Sequence, residues 1–259
     1  MARYQVILAY DGTQFQGFQR QTTRRTVQGV IEAVLRELEW AGQAILAAGR
    51  TDTGVHASGQ VIAFDLEWRH TPQALCAAMN ALLPEDISAQ EVRLAEAGFH
   101  PRYDAIERMY RYRIYCQAVR HPLLERYTWR VWPALDPERL QRAAETLLGT
   151  HDFAAFGTPP RTHGSTRRTV FRAVWQCDLP EFVFEVSADA FLYRMVRRLV
   201  SVQVEIGQGR CEVETIRRYL ESPPGLPIQG LAPAHGLSLV SVAYPPSARI
   251  TDNEEDLLP

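Results

Sequence analysis

Apolar and polar residues alternate through RYQVILAY at residues 3–10, the period of a strand with one buried face. The period then lengthens. In TVQGVIEAVLRELEW (26–40), Val27, Val30, Ile31, Val34, Leu35 and Leu38 fall on one side of a helix. AILAAG (44–49) and GQVIAFDL (59–66) read as strands. TPQALCAAMNALL (71–83) reads as a helix with Thr71 as N-cap and Pro72 in its first turn, and ISAQEVRLA (87–95) as a further strand. The order is β-α-β-β-α-β.

The same order returns further along. RMYRYRIYC (108–116) is a predicted strand. DPERLQRAAETLLG (136–149) is a predicted helix capped by Asp136, with Pro137 in its first turn and Gly149 at its end. TVFRAVWQCDL (169–179) and EFVFEVSA (181–188) are predicted strands. ADAFLYRMVRRLVSVQVEIG (188–207) is a predicted helix, followed by a shorter one in CEVETIRRYLES (211–222) and a last strand in GLSLVSVAY (236–244). No residue-level repeat accompanies this element-level one. The pattern predicts an α+β fold of two ferredoxin-like βαββαβ halves, residues 1–105 and 106–247, with an acidic tail at 248–259. GTPPRTHGS (157–165) and ESPPGLPIQGLAP (221–233) read as surface loops. A fold of this kind hosts many activities and decides none.

Composition narrows the class. Neither a signal-peptide pattern at MARYQVILAYDG nor an apolar run of membrane-spanning length is present, so a soluble cytoplasmic protein is expected. Cys76, Cys116, Cys177 and Cys211 lie far apart without a C-x-x-C pair. They are expected to be small buried hydrophobes, not a zinc or redox site.

The formal net charge is -2, which by itself argues against a polyanionic partner. Its distribution alters that. The last eight residues, DNEEDLLP, hold four acids, and without them 28 bases face 26 acids. Every base is an arginine, the side chain suited to bidentate phosphate contact and to stacking on bases. The arginines cluster at Arg24-Arg25, Arg108-Arg111-Arg113, Arg167-Arg168, Arg194-Arg197-Arg198 and Arg217-Arg218. Such runs suit a local nucleic-acid patch, although solvated faces show them too.

Three stretches could carry chemistry. The loop AAGRTDTGVHASG places Arg50, Asp52 and His56 among glycines. It is not a phosphate loop, because Val55 and His56 stand where Lys and Ser or Thr would be needed. Asp52 is either a turn-former bonding its own backbone or a nucleophile or base aimed outward, with Arg50 meeting an anionic or planar substrate. His56 reads as a turn or core histidine before a catalyst. In RMYRYRIY, alternation puts Tyr110 and Tyr112 on one face and Arg111 and Arg113 on the other: a strand core with a solvated rim, or an aromatic that stacks a base between phosphate-binding arginines. In ADAFLYRMVRRLV, Phe191, Leu192, Met195, Val196 and Leu199 form an apolar stripe. Arg194, Arg197 and Arg198 lie opposite. Arg197 would keep Asp52 ionised if the two met.

These stretches, taken together, resemble one family. GRTDTGVHA resembles the active-site motif of the tRNA pseudouridine synthase A family, usually G-R-T-D-A-G-V-H-A. YDGTQFQGFQRQ, MYRYRI, HDFAAF and AFLYRMVRRLV resemble its other motifs in the family's order, and only the acidic tail lies outside the likeness. Thr53 replaces the usual alanine, Phe18 the usual tryptophan, and Pro101 an expected alanine; no reactive group is lost.

The resemblance implies that Asp52 is catalytic, that Arg50 helps displace the target base, that Tyr110 packs on the uracil and that Arg197 pairs with Asp52. It implies conversion of uridine to pseudouridine at positions 38, 39 and 40 in the anticodon stem-loop of tRNA, without cofactor or metal. It also implies a homodimer whose central sheet carries an RNA-binding cleft. Arg24 and Arg25 are expected to contact RNA phosphates. Two other classes remain at this stage: an RNA-binding module of the same fold that has lost catalysis, and a hydrolase using Asp52 with His56.

Overall fold

In the computed structural model, which describes residues 1–159, 164–223 and 227–246, the alternating segment at the start forms β1 (Ala2–Tyr10). The first half continues with α1 (Val27–Glu37), β2 (Leu46–Ala47), β3 (His56–Leu66), α2 (Pro72–Leu82) and β4 (Ile87–Ala95). The caps fall where the side chains predict them: Thr26 accepts from Gly29 N and Thr71 from Ala74 N.

The second half contains β5 (Glu107–Cys116), α3 (Pro122–Glu125), β6 (Trp129–Val131), α4 (Pro137–Glu145), β7 (Gly149–Asp152), β8 (Arg167–Asp178), β9 (Glu181–Ala188), α5 (Met195–Gly207), α6 (Glu214–Glu221) and β10 (Leu237–Ala243). Asp136 caps α4 by accepting from Glu138 N and Arg139 N. The short elements α3, β6 and β7 are absent from the sequence reading, because three or four residues carry no measurable period. The acidic tail lies outside the described residues.

The main strand order is β4-β1-β3-β10-β5-β9-β8-β7, with β2 paired to β3 and β6 to β5. Within it, β4-β1-β3 plus β2, and β10-β5-β9-β8, each follow the ferredoxin-like order, so the expected α+β fold is borne out. The two halves join where β10 runs parallel to β3, pairing Ser238 with His56 and Leu239 with Ala57. Only glycine fits at position 59, since a Cβ there would lie 2.0 Å from the Val240 carbonyl oxygen of β10.

Two main cores fill the halves. Ile31, Leu35, Leu75 and Met79 of α1 and α2 pack with Tyr4, Val6, Leu8 and Tyr10 of β1. Leu140, Ala143, Leu199 and Val200 of α4 and α5 pack with Tyr112 and Ile114 of β5. Tyr110 packs against both cores and therefore stands at their junction.

Three expectations need correction. The helix predicted over 136–149 ends at Glu145, and Gly149, at φ +94°, opens β7 instead of closing that helix. The helix predicted from residue 188 begins only at Met195. Residues ahead of it use their backbone elsewhere: the Asp189 carboxylate accepts from Thr169 N and Ala190 N, Tyr193 N donates to Thr158 O, and Arg194 takes a left-handed φ of 63°. Phe191 and Leu192 thus fit a helical stripe in sequence but line no helix. Nor are the cysteines all buried. Cys177 is exposed near the β8–β9 turn and the other three are half-buried, all as free thiols.

Candidate active site

The β2–β3 connection is short and held at several points. Phe18 N donates to Thr51 O, Gly54 N to Phe15 O, and Gln60 Nε2 to Gly49 O. Val55 N donates back to Asp52 O, closing a turn in which Gly54 adopts φ +77°. Thr51 Oγ1 lies 2.8 Å from the buried Tyr10 hydroxyl. Burial pushes that hydroxyl up to about 12, against hydrogen bonds with Thr51 and Gln60 that lower it, so Tyr10 stays neutral. The loop is a rigid mount for residue 52.

The Asp52 carboxylate does not cap its own turn. Arg197 of α5 donates from Nη1 to Asp52 Oδ2 at 2.8 Å and from Nε to the Ala232 carbonyl at 2.8 Å. The guanidinium is therefore fixed by two acceptors on separate segments. The Asp52 side chain keeps 20% of its surface exposed, so the carboxylate is held yet open to the cleft.

That cleft, of about 380 Å³, lies at the junction of the two cores. Its apolar wall includes Val55, Tyr110, Phe191, Leu192 and Leu239. Tyr110 meets Phe191 edge-on, with centroids 5.0 Å apart and planes at 84°. Burial, with the nearby Tyr10 and Asp52 adding to it, raises the Tyr110 hydroxyl, which keeps its proton at neutral pH. Among the described residues Asp52 is the sole carboxylate lining the cleft, against Arg50, Arg102, Arg108, Arg194 and Arg197. A near-neutral chain thus presents a strongly cationic cleft.

Of these arginines, Arg50 is exposed and has no ion-pair partner among the described residues. Arg108 is anchored instead by carbonyls: its Nη1 donates to Ala105 O and Asp189 O, and its Nη2 to Ala48 O and Arg102 O. Among the described residues it makes no ion pair, and burial pulls its pKa down.

His56 is not part of this wall. Its Nδ1 accepts from Gly12 N at 3.0 Å, and its Nε2 faces His235 O at 3.1 Å. Asp11 Oδ1 lies 3.1 Å from the same Nδ1. Burial is the largest influence on the ring and lowers its pKa, against the attraction of Asp11, so the neutral Nε2–H form prevails. Burial would raise the Asp11 carboxyl, but bonds from Thr13, Tyr127 and Arg126 bring it down to about 2. His56 is a clasp between the turn at Gly12 and the segment before β10, as a core histidine would be.

The remaining candidates separate. Arg111 and Arg113 are bonded to Glu185 and Glu181 and line no part of the Asp52 cleft; they line a second cavity beside His56 and His235. Arg24 is exposed and does not line the cleft. Arg25 stacks over Phe15 at 4.1 Å and forms a bidentate pair with Asp86 at 2.7 and 2.9 Å. Sequence reading missed Phe191 as a cleft residue, because its spacing matches the helix stripe. It also missed the Ala232 carbonyl, which has no side-chain signal. Among the described residues no three His, Cys, Asp or Glu side chains gather as a metal site, and no helix is long and apolar enough to cross a membrane.

Residues 6–104 and 143–245 match the family model described as tRNA pseudouridine synthase. The chain belongs to that family. A tRNA pseudouridine synthase A from Chloroflexus aurantiacus is 42% identical over 245 residues, covering 93% of this chain and 88% of the relative. Its counterpart from Lacticaseibacillus casei is 39% identical, covering 94% and 100%. That from Thermotoga maritima is 38% identical, again covering 94% and 100%. The tRNA pseudouridine synthase match therefore spans both halves and every cleft segment described above except residues 105–142, to which Arg108 and Tyr110 belong. The pairwise relatives cover nearly the whole chain.

Proposed function

We propose that the chain isomerises uridine to pseudouridine in tRNA, at positions 38, 39 and 40 of the anticodon stem-loop. The observation that carries this reading is a cleft with one carboxylate, Asp52, fixed by Arg197 beside an aromatic wall and surrounded by arginines.

The chemistry asks for little else. The C1′–N1 glycosidic bond breaks, the uracil turns, a C1′–C5 bond forms, the C5 hydrogen leaves as a proton, and N1 ends protonated. No atom is gained or lost by the nucleotide. Asp52 is the reacting carboxylate, and Arg197 is the residue that pairs with it and aims it. Tyr110 and Phe191 supply a flat apolar surface that lets the detached base turn without escaping. Arg50, exposed at the loop, enters the space that the uridine vacates. Removing a base from a stem costs a few kcal/mol, so a group that fills the gap lowers that cost.

The arginine-lined cleft suits a phosphate backbone. Arg24 serves as an outlying phosphate contact. Arg25, already paired with Asp86, makes at most a weaker one. Residues 1–105 and 106–247 act as the two halves of the enzyme, a homodimer in the cytoplasm; the family likeness supports that assembly, and light scattering tests it.

Two other readings fare worse. A hydrolase using Asp52 and His56 lacks its second group, because His56 faces Gly12 and His235 outside the cleft. An inactive binding module has no use for a positioned Asp52–Arg197 pair. The test is tritium release from tRNA transcripts carrying C5-tritiated uridine, without added cofactor. Release that depends on Asp52 supports the reading, and its absence with folded protein contradicts it.

A further inference from the structure

Tyr193 and Arg194 line the same cleft, yet neither touches Asp52 or Arg197 by any hydrogen bond. Tyr193 is 52% exposed. Single exposed aromatics are ordinary on protein surfaces. This one differs in how its backbone is held. Tyr193 N donates to Thr158 O at 3.0 Å, and Arg198 Nη1 approaches Tyr193 O at 3.5 Å. Gly157 lets the neighbouring segment come so close that a Cβ there would meet Tyr193 O at 2.8 Å and Leu192 Cβ at 2.6 Å. The next residue, Arg194, takes a left-handed φ of 63°, a conformation that non-glycine residues adopt at a cost. Its guanidinium returns over the Tyr193 ring at 4.8 Å from the centroid. Among the described residues it makes no ion pair.

An open ring on a clamped backbone, backed by a cation and set at the rim of a cationic cleft, is a stacking platform. We propose that Tyr193, with Arg194 across its ring, stacks a nucleobase of RNA adjacent to the uridine that enters the cleft. The platform accepts any base, since every base offers a π-face, and it holds the flanking nucleotide while the target is out of the helix. This inference rests on the functional reading above.

The test uses full-length tRNA in three forms: intact, or with an abasic nucleotide on the 5′ or the 3′ side of the target uridine. Dissociation constants are measured for wild type, Tyr193→Ala, Tyr193→Phe and Arg194→Gly. Tyr193→Ala is expected to weaken intact tRNA by about 5- to 150-fold. Tyr193→Phe, which keeps the ring, restores binding. Arg194→Gly suits φ 63° and so folds at least as stably, yet weakens tRNA by about 2- to 5-fold. One abasic tRNA binds wild type as poorly as intact tRNA binds Tyr193→Ala, and binds that variant no worse still.

The proposal is overturned if Tyr193→Ala binds intact tRNA as wild type does, or if its loss repeats in full on both abasic tRNAs. If Tyr193→Ala does not fold, undiminished binding by Arg194→Gly overturns it. Product formation by wild type on intact tRNA is read first and tests the functional reading alone. Wild type that makes product while Tyr193→Ala binds normally leaves that reading standing and removes the platform.

Discussion

Arg197 holds the Asp52 carboxylate and the Ala232 carbonyl with the same guanidinium, each at 2.8 Å. Arg197 and Asp52 are 145 positions apart in sequence, and their meeting joins the β2–β3 loop of the first half to α5 of the second. Hydrogen bonds to charged groups contribute about 1.5–3 kcal/mol, so Arg197→Ala should lower single-turnover rate by about 10- to 150-fold. Arg197→Lys should recover only part of it, because a single ammonium cannot span both acceptors as the planar fork does. Equal rates for the lysine variant and wild type would show that charge alone matters.

Thr51 is the loop's link to Tyr10. Thr51→Val removes one of the two partners, Thr51 and Gln60, of the buried Tyr10 hydroxyl, at a cost of about 0.5–1.5 kcal/mol. The expected result is a lower thermal midpoint and a slower reaction at saturating tRNA. Thr51→Ser keeps the oxygen and should restore both. If Thr51→Val loses stability but no rate, the hydrogen bond supports the fold without aiming Asp52.

His56 gives the enzyme a pH dependence on the acid side. Its pKa in the folded state lies below the ordinary 6.5, because burial disfavours the charged ring. The unfolded state therefore binds a proton first. The stability His56 contributes is present above pH 6.5 and lost as pH falls through its folded value. His235, also lowered by burial, adds the same sign. Asp11, near 2, stays charged throughout, and Arg126 and Tyr127 keep their protons. Thermal midpoints between pH 7.5 and 5 should fall for wild type and fall less steeply for His56→Asn, whose oxygen can still accept from Gly12 N. Parallel slopes would exclude His56 as a source.

Arg24 and Arg25 should separate under salt. Each phosphate contact adds about 0.7–0.9 to the slope of log affinity against log salt. Arg24→Ala should flatten the slope by about one contact, whereas Arg25→Ala, which breaks the pair with Asp86, should change the slope less. An unchanged slope for Arg24→Ala would remove it from the RNA footprint.

Arg50 should matter most where the uridine is paired and stacked. Arg50→Ala is expected to slow modification in an intact stem more than in a mismatched one, since flipping a mismatched base costs less. Equal losses in both would assign Arg50 a charge role alone.

Much of the fold was legible because alternation survives in β1, an apolar run buried on both faces marks β3, and the helical period survives in α1, α2 and α4, whose N-caps also carry their own side-chain signals. The start of α5 was not. Phe191 and Leu192 keep helical spacing with Met195 and Leu199, but their apolar character serves the cleft wall, and nothing local marks Arg194 as left-handed. Spacing alone left Asp52 between a turn and a catalyst. The family motif favoured the catalyst, and the geometry shows the carboxylate turned to Arg197. Arg25 looked available because Asp86, its partner, lies 61 residues away. The Ala232 carbonyl, a backbone atom on a proline-rich segment, offers no pattern to read.

The most direct measurement maps pseudouridine at nucleotide resolution in unmodified tRNA after incubation with wild type or Asp52→Ala. Wild type should place pseudouridine at positions 38, 39 and 40. Asp52→Ala should bind the same tRNA within about threefold and form none, as expected when a reacting group is removed without loss of binding. Pseudouridine formed by Asp52→Ala, or formed by wild type only at other positions, would contradict the account.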